Sequence, residues 1–206
     1  METSRENIIK AYNVAKETGA DSTCKVLEAL YPDIDFTPKD NRPVTERIKT
    51  FEDAVEALGE DHTFVQMFHD IFNKSEVAGA NANDDVVAYL KLRIITAALN
   101  EGWEPQFTED EWRYYPWFYL WTEEELAEKD EEWKQERNLQ SLGGYNTEFA
   151  GLASAYSSSA PSSTHAYIGS RLCFKNATLA EYAGKQFIQL WMPFYLIHKA
   201  ASLTSK

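Results

Sequence analysis

The chain has 206 residues, a net charge of −13 at pH 7, and a composition of 44% hydrophobic and 26% charged residues. That length buries a core without disulfides or metals, and the balance is that of a folded globular chain rather than a disordered one. The charge repels duplex DNA and anionic membrane surfaces, so a nucleic-acid role requires a segregated basic or aromatic patch.

The first segment predicts a helical hairpin. Ile8, Ile9, Tyr12 and Ala15 recur at helical spacing and Gly19 ends the pattern. Asp21 is placed to cap a second helix carrying Cys24, Leu27 and Leu30, which stops at Tyr31-Pro32. Two short helices around a tight turn evoke a helix-turn-helix, but the second is poor in Arg and Lys, and a packed hairpin is the simpler reading. Met1 to Lys10 is polar and does not read as a signal peptide. Residues 32–49 carry Pro32, Pro38 and Pro43 and read as loop.

Thr50 to Asp53 reads as a capped helix start, with Phe51, Ala54, Val55 and Leu58 as its apolar face and Gly59 as its end. Phe64, Met67, Phe68, Ile71 and Phe72 predict another helix. After a small, polar stretch at 75–83, Asn83 or Asp84 caps a helix to about Glu101, with Val87, Leu90, Ile94, Ala97 and Ala98 inward and Gly102 at its end.

The pattern then changes. Trp112 to Trp121 reads Trp-Arg-Tyr-Tyr-Pro-Trp-Phe-Tyr-Leu-Trp. Dense aromatics predict a strand, and Pro116 inside it places that strand at a sheet edge or a bulge. Thr122 to Glu125 forms a capping box opening a charged helix over 123–136. That stretch holds eight acids and two lysines, a net −6. Residues 141–164, rich in Gly, Ser, Ala and Tyr, predict a loop or poorly specified strands. Residues 166–174 predict a strand partner for 112–121. Thr178 with Glu181 opens a final helix carrying Leu179, Tyr182, Ala183, Phe187, Leu190 and Trp191, kinked or restarted at Pro193. No stretch is long enough to span a bilayer; the most apolar, Phe187 to Leu196, is broken by Gln189 and Pro193.

The expected fold is α+β: a helical N-terminal half over 1–102, then an aromatic-rich half over 103–206 with a small antiparallel sheet packed by a C-terminal helix, all in one compact unit. Cys24 and Cys173 read as two buried free thiols in a reducing compartment.

Catalytic signatures are missing from the sequence. His62 and His69, beside Asp61 and Asp70, are two helical turns apart and lack metal-ligand spacing, so no metal or cofactor is expected. Gly143-Gly144 lacks the lysine and frame of a phosphate loop. The run 112–121 is the unusual feature. Its rings are either core with a half-exposed rim, or a platform for stacking unpaired bases, sugars or a partner peptide. As a platform it would use Trp112, Arg113, Tyr115, Trp117 and Tyr119, with Arg171 and Lys175 joining as cations.

Gly169-Ser-Arg-Leu-Cys-Phe-Lys175 followed by Leu179-Ala-Glu-Tyr-Ala-Gly-Lys-Gln-Phe187 forms a specific pair of motifs. With Lys91 to Ile95, Ala98 to Trp103 and Tyr114 to Phe118, and a shorter match at Thr45 to Ala54, it resembles an uncharacterised protein family of phages, prophages and mobile elements of gut Bacteroidales. The resemblance covers the second half of the chain. It implies a setting, a host bacterial cytoplasm or a virion, and transfers no activity and no functional residues. The expectation is a non-enzymatic binding protein, taking single-stranded nucleic acid on the aromatic strand. The alternatives are a virion assembly or packaged protein that forms a homo-oligomer, and an acidic anti-defence protein that binds a protein partner through 123–136.

Overall fold

The computed structural model describes residues 4–36, 40, 42–74, 84–106, 108, 110–161 and 170–199. The chain forms two compact units, 1–42 and 43–206. Helices before residue 102 and the strand and helices after it share one core, in which Ile48, Val65, Leu92 and Leu99 join Phe174, Leu179 and Trp191.

The first unit is a helical hairpin of α1 (Arg5–Glu17) and α2 (Asp21–Leu30). Ser4 caps α1 by accepting from Asn7 N–H. Asp21 is the first helical residue of α2 rather than its cap, a place held by Ala20. Ile8, Tyr12, Ala15, Cys24 and Phe36 form the core. The Tyr12 and Phe36 rings stack at 4.4 Å, and Tyr12 Oη donates to Glu28 Oε1 at 2.6 Å.

The second unit begins with α3 (Val44–Arg47), α4 (Phe51–Leu58), α5 (Thr63–Lys74) and α6 (Asp84–Asn100). Thr50 caps α4 in a reciprocal box with Asp53, as the sequence predicts. Helix α6 was expected to bury one face. Instead Ala88, Leu90, Leu92, Ile94, Ile95, Thr96, Ala98, Leu99 and Asn100 are all buried. A helix apolar on most sides belongs inside a core, and α6 packs against α4, α5 and the two C-terminal helices over Ala177–Gln186 and Ile188–Tyr195.

The fold is α+β, with C-terminal helices packed on a three-stranded antiparallel sheet. Strand order is β1 (Trp112–Trp121), β3 (Gly151–Pro161), β2 (Gln140–Ser141). The central strand lies in the Ser-rich stretch read as a loop or poorly specified strands, and it takes the place expected of 166–174 as the partner of β1. Of that expected strand, Ser170–Leu172 is a 3-10 turn and Phe174 makes a single bridge to Tyr114; 162–169 lie outside the described residues. The acidic helix is two short helices, α7 (Glu123–Ala127) and α8 (Glu131–Glu136), because Asp130 caps a new start by accepting from Trp133 N–H. The last helix is likewise split at Phe187 into α9 (Ala177–Gln186) and α10 (Ile188–Tyr195), with Pro193 inside α10. Asn176, not Thr178, caps α9.

Helix α9 lies on β1 because two small groups meet there. A Cβ on Gly184 would stand 2.7 Å from Pro116 Cβ, closer than packed carbons approach. Pro116 costs the sheet nothing: Tyr114 N–H donates away from β3, to Phe174 O at 3.1 Å, and Pro116 occupies the next amide position on that side.

Candidate functional site

The sheet has two unlike faces, set by strand alternation. Tyr114 and Phe118 of β1 turn inward and pack on the main core, and Phe118 meets Trp191 and Tyr195 at ring separations of 6.0 and 5.9 Å. Odd-numbered residues from Trp117 onward turn outward. Trp117 lies opposite Tyr156 of β3 and stacks on it at 6.0 Å with planes 10° apart. Tyr119 meets Tyr156 and Trp121 edge-on, and Trp121 meets Trp133 of α8 at 5.1 Å with planes 85° apart. A bulge at Ala155 brings Tyr156 into this row, since β3 carries one residue more than β1 between Trp117 and Phe118. A hydrogen bond with Tyr119 raises the Tyr156 phenol above its ordinary value, as expected of two neighbouring phenols. Trp117, Tyr119 and Tyr156 remain 37%, 46% and 45% exposed.

The acidic helices stand at the far end of this face. Gly151, opposite Trp121, leaves room for Leu126 of α7 and Leu139, each of which a Cβ there would meet at 2.8 Å. Ser154 N–H donates to Arg137 O at 3.0 Å, which ties the end of α8 to β3. Three cations enter the acidic stretch. Lys129 Nζ lies 5.3 Å from the Trp121 ring and 5.6 Å from Trp133; Arg137 lies 5.3 Å from Trp133; Lys134 pairs with Glu131 at 2.8 Å.

The seven residues expected to form a platform are not gathered into one. Trp117 and Tyr119 lie on the outward row. Trp112 is 49% exposed at the start of β1, opposite Pro161. Arg113 and Tyr115 are buried, at 2% and 4% exposure. Arg113 stands near enough to Cys173 to oppose the burial that pushes that thiol up to about 11. Lys175 is tied to the end of α6: its Nζ donates to Asn100 O at 3.2 Å and to Glu101 Oε2 at 3.0 Å. Arg171 is exposed on the turn before Cys173. The rings are thus divided between core and surface, and the cations beside the surface rings are Lys129 and Arg137.

Tyr156, Trp121 and Trp133 were missed as members of the row. Trp121 carried a signal, the period-two recurrence of Trp117, Tyr119 and Trp121. Trp133 carried another, its four-residue spacing from Lys129 and Arg137. Tyr156 joins only through the pairing of β1 with β3.

Of the histidines, His62 Nδ1 accepts from Phe64 N–H at 3.2 Å and His69 Nε2 lies 3.2 Å from Glu60. The free thiols Cys24 and Cys173 are both buried, and among the described residues no helix is long and apolar enough to cross a membrane.

The chain matches no protein-family model, and no curated protein or solved structure is significantly similar to it.

Proposed function

We propose that this chain is a non-enzymatic binding protein, encoded by a phage, prophage or mobile element and working in the host cytoplasm, whose outward sheet face recognises a protein partner through exposed basic side chains. The observation that carries this reading is the row Trp117–Tyr156–Tyr119–Trp121–Trp133, running into a stretch with eight carboxylates over 123–136. Exposed aromatics supply rigid apolar contact area, and a carboxylate border favours a cationic ligand and repels a polyanion.

The experiment is a tryptophan-fluorescence titration with a lysine-rich peptide and, separately, with an unstructured single-stranded oligonucleotide, at low and high salt. Saturable quenching by the peptide, weakened by salt and lost in Trp117→Ala, is the expected result. Quenching by the oligonucleotide alone would overturn it.

Single-stranded nucleic acid is the second reading. The near-parallel Trp117 and Tyr156 rings favour it, since such a pair offers an unpaired base a stacking surface. The proximity of α7 and α8 disfavours it.

A further inference from the structure

Trp121 and Trp133 meet at nearly a right angle, and Lys129 Nζ lies within 6 Å of both ring centres. Two walls of indole around one ammonium is the arrangement by which proteins hold lysine and quaternary ammonium groups. Here the chain fills it with its own side chain. The Lys129 backbone is fixed in the turn between α7 and α8 by its N–H donating to Leu126 O at 3.2 Å, while its side chain is half-exposed. Carboxylates surround the corner in sequence: Glu128, Asp130, Glu131 and Glu132.

We propose that the Trp121–Trp133 corner is a cation cage for a lysine side chain of the protein partner, and that Lys129 is its resident occupant, displaced on binding. The inference rests on the reading of the outward face as a protein-binding surface, and names the group that surface recognises. Lys129 then acts as a built-in competitor. It keeps the indoles covered while the protein is free and lowers the apparent affinity for any incoming cation. A trimethylated lysine is held better than an unmodified one, because it keeps its charge while losing less hydration on entering a ring-lined corner.

The test uses the full chain, a lysine-rich peptide and the same peptide with its lysines trimethylated, with affinities from calorimetry. Wild type should bind the trimethylated peptide more tightly. Lys129→Gln should tighten binding of both peptides about two- to fivefold, the weight of one exposed cation–ring contact. Lys134→Gln makes the same change of charge nearby, away from the corner, and should give a smaller gain. Trp133→Leu should abolish the preference for trimethyllysine, with circular dichroism checking that the variant is folded. Equal affinity for the two peptides, equal gains from Lys129→Gln and Lys134→Gln, or a preference that survives Trp133→Leu would each overturn the cage. Binding that depends on Trp117 and ignores Lys129 would overturn the cage and leave the protein-binding reading standing. Failure of both peptides to bind would overturn the cage and the protein-binding reading together.

Discussion

Asn100, 4% exposed at the end of α6, holds the segment that follows the 3-10 turn. Its Nδ2 donates to Cys173 O at 2.9 Å and its Oδ1 accepts from Lys175 N–H at 3.1 Å, so one side chain satisfies two backbone groups. Asn100→Leu leaves both without that partner and is expected to cost about 2–4 kcal/mol in urea unfolding. The next residue makes a pH prediction. Lys175 and Arg47, at 3.0 and 2.5 Å from its oxygens, hold the Glu101 carboxyl below its ordinary value of 4.5. A carboxyl lowered in the folded state contributes its full stability above the unfolded pKa and loses it as pH falls through the folded one. Acid unfolding should therefore steepen below pH 4.5, and Glu101→Gln should flatten the curve there and lower stability at neutral pH. Cys173, with its thiol pushed up to about 11 by burial, should resist a disulfide reagent at pH 8 until urea unfolds the chain.

At the scale of elements, the contact of α9 with β1 depends on the closeness of Gly184 to Pro116. Gly184→Ala puts a methyl 2.7 Å from a proline carbon. Overpacking of this kind is expected to cost about 1–3 kcal/mol. The two faces of β1 predict a further contrast. Trp191, 1% exposed, lies under Phe118 in the core, whereas Trp117 is 37% exposed on the outer row. Trp191→Ala should cost about 3–5 kcal/mol. Trp117→Ala should cost no more than about 1 kcal/mol, mostly the lost stack with Tyr156. Thermal melts of the two variants check this, and a large loss at Trp117 would mean that its ring belongs to the scaffold.

For the whole molecule, the division at residue 42 predicts unequal partners. The unit 43–206 holds the large core, with its many fully buried aliphatic residues, Phe174 and Trp191. A fragment of those residues should therefore retain a single cooperative unfolding transition. The hairpin 1–42 is near the size at which a chain without metals or disulfides stops folding alone, and as a fragment it should show only partial helicity by circular dichroism.

Local rules placed many of the elements. Periodicity and caps located α1, α4, α5 and α6, the Thr122 capping box fixed the start of α7, and ring density fixed the span of β1, because each signal acts within a few residues. The sequence also implied, without deciding, that the rings of 112–121 serve two purposes. Long-range pairing decided the rest. A Ser-rich stretch became the central strand because small residues pair on any sheet that neighbouring rings and helices cover, and composition alone does not reveal that cover. Arg113 and Tyr115 went into the protein and Trp117 and Tyr119 faced out. That division depends on what packs around each end of β1, which only the tertiary structure sets.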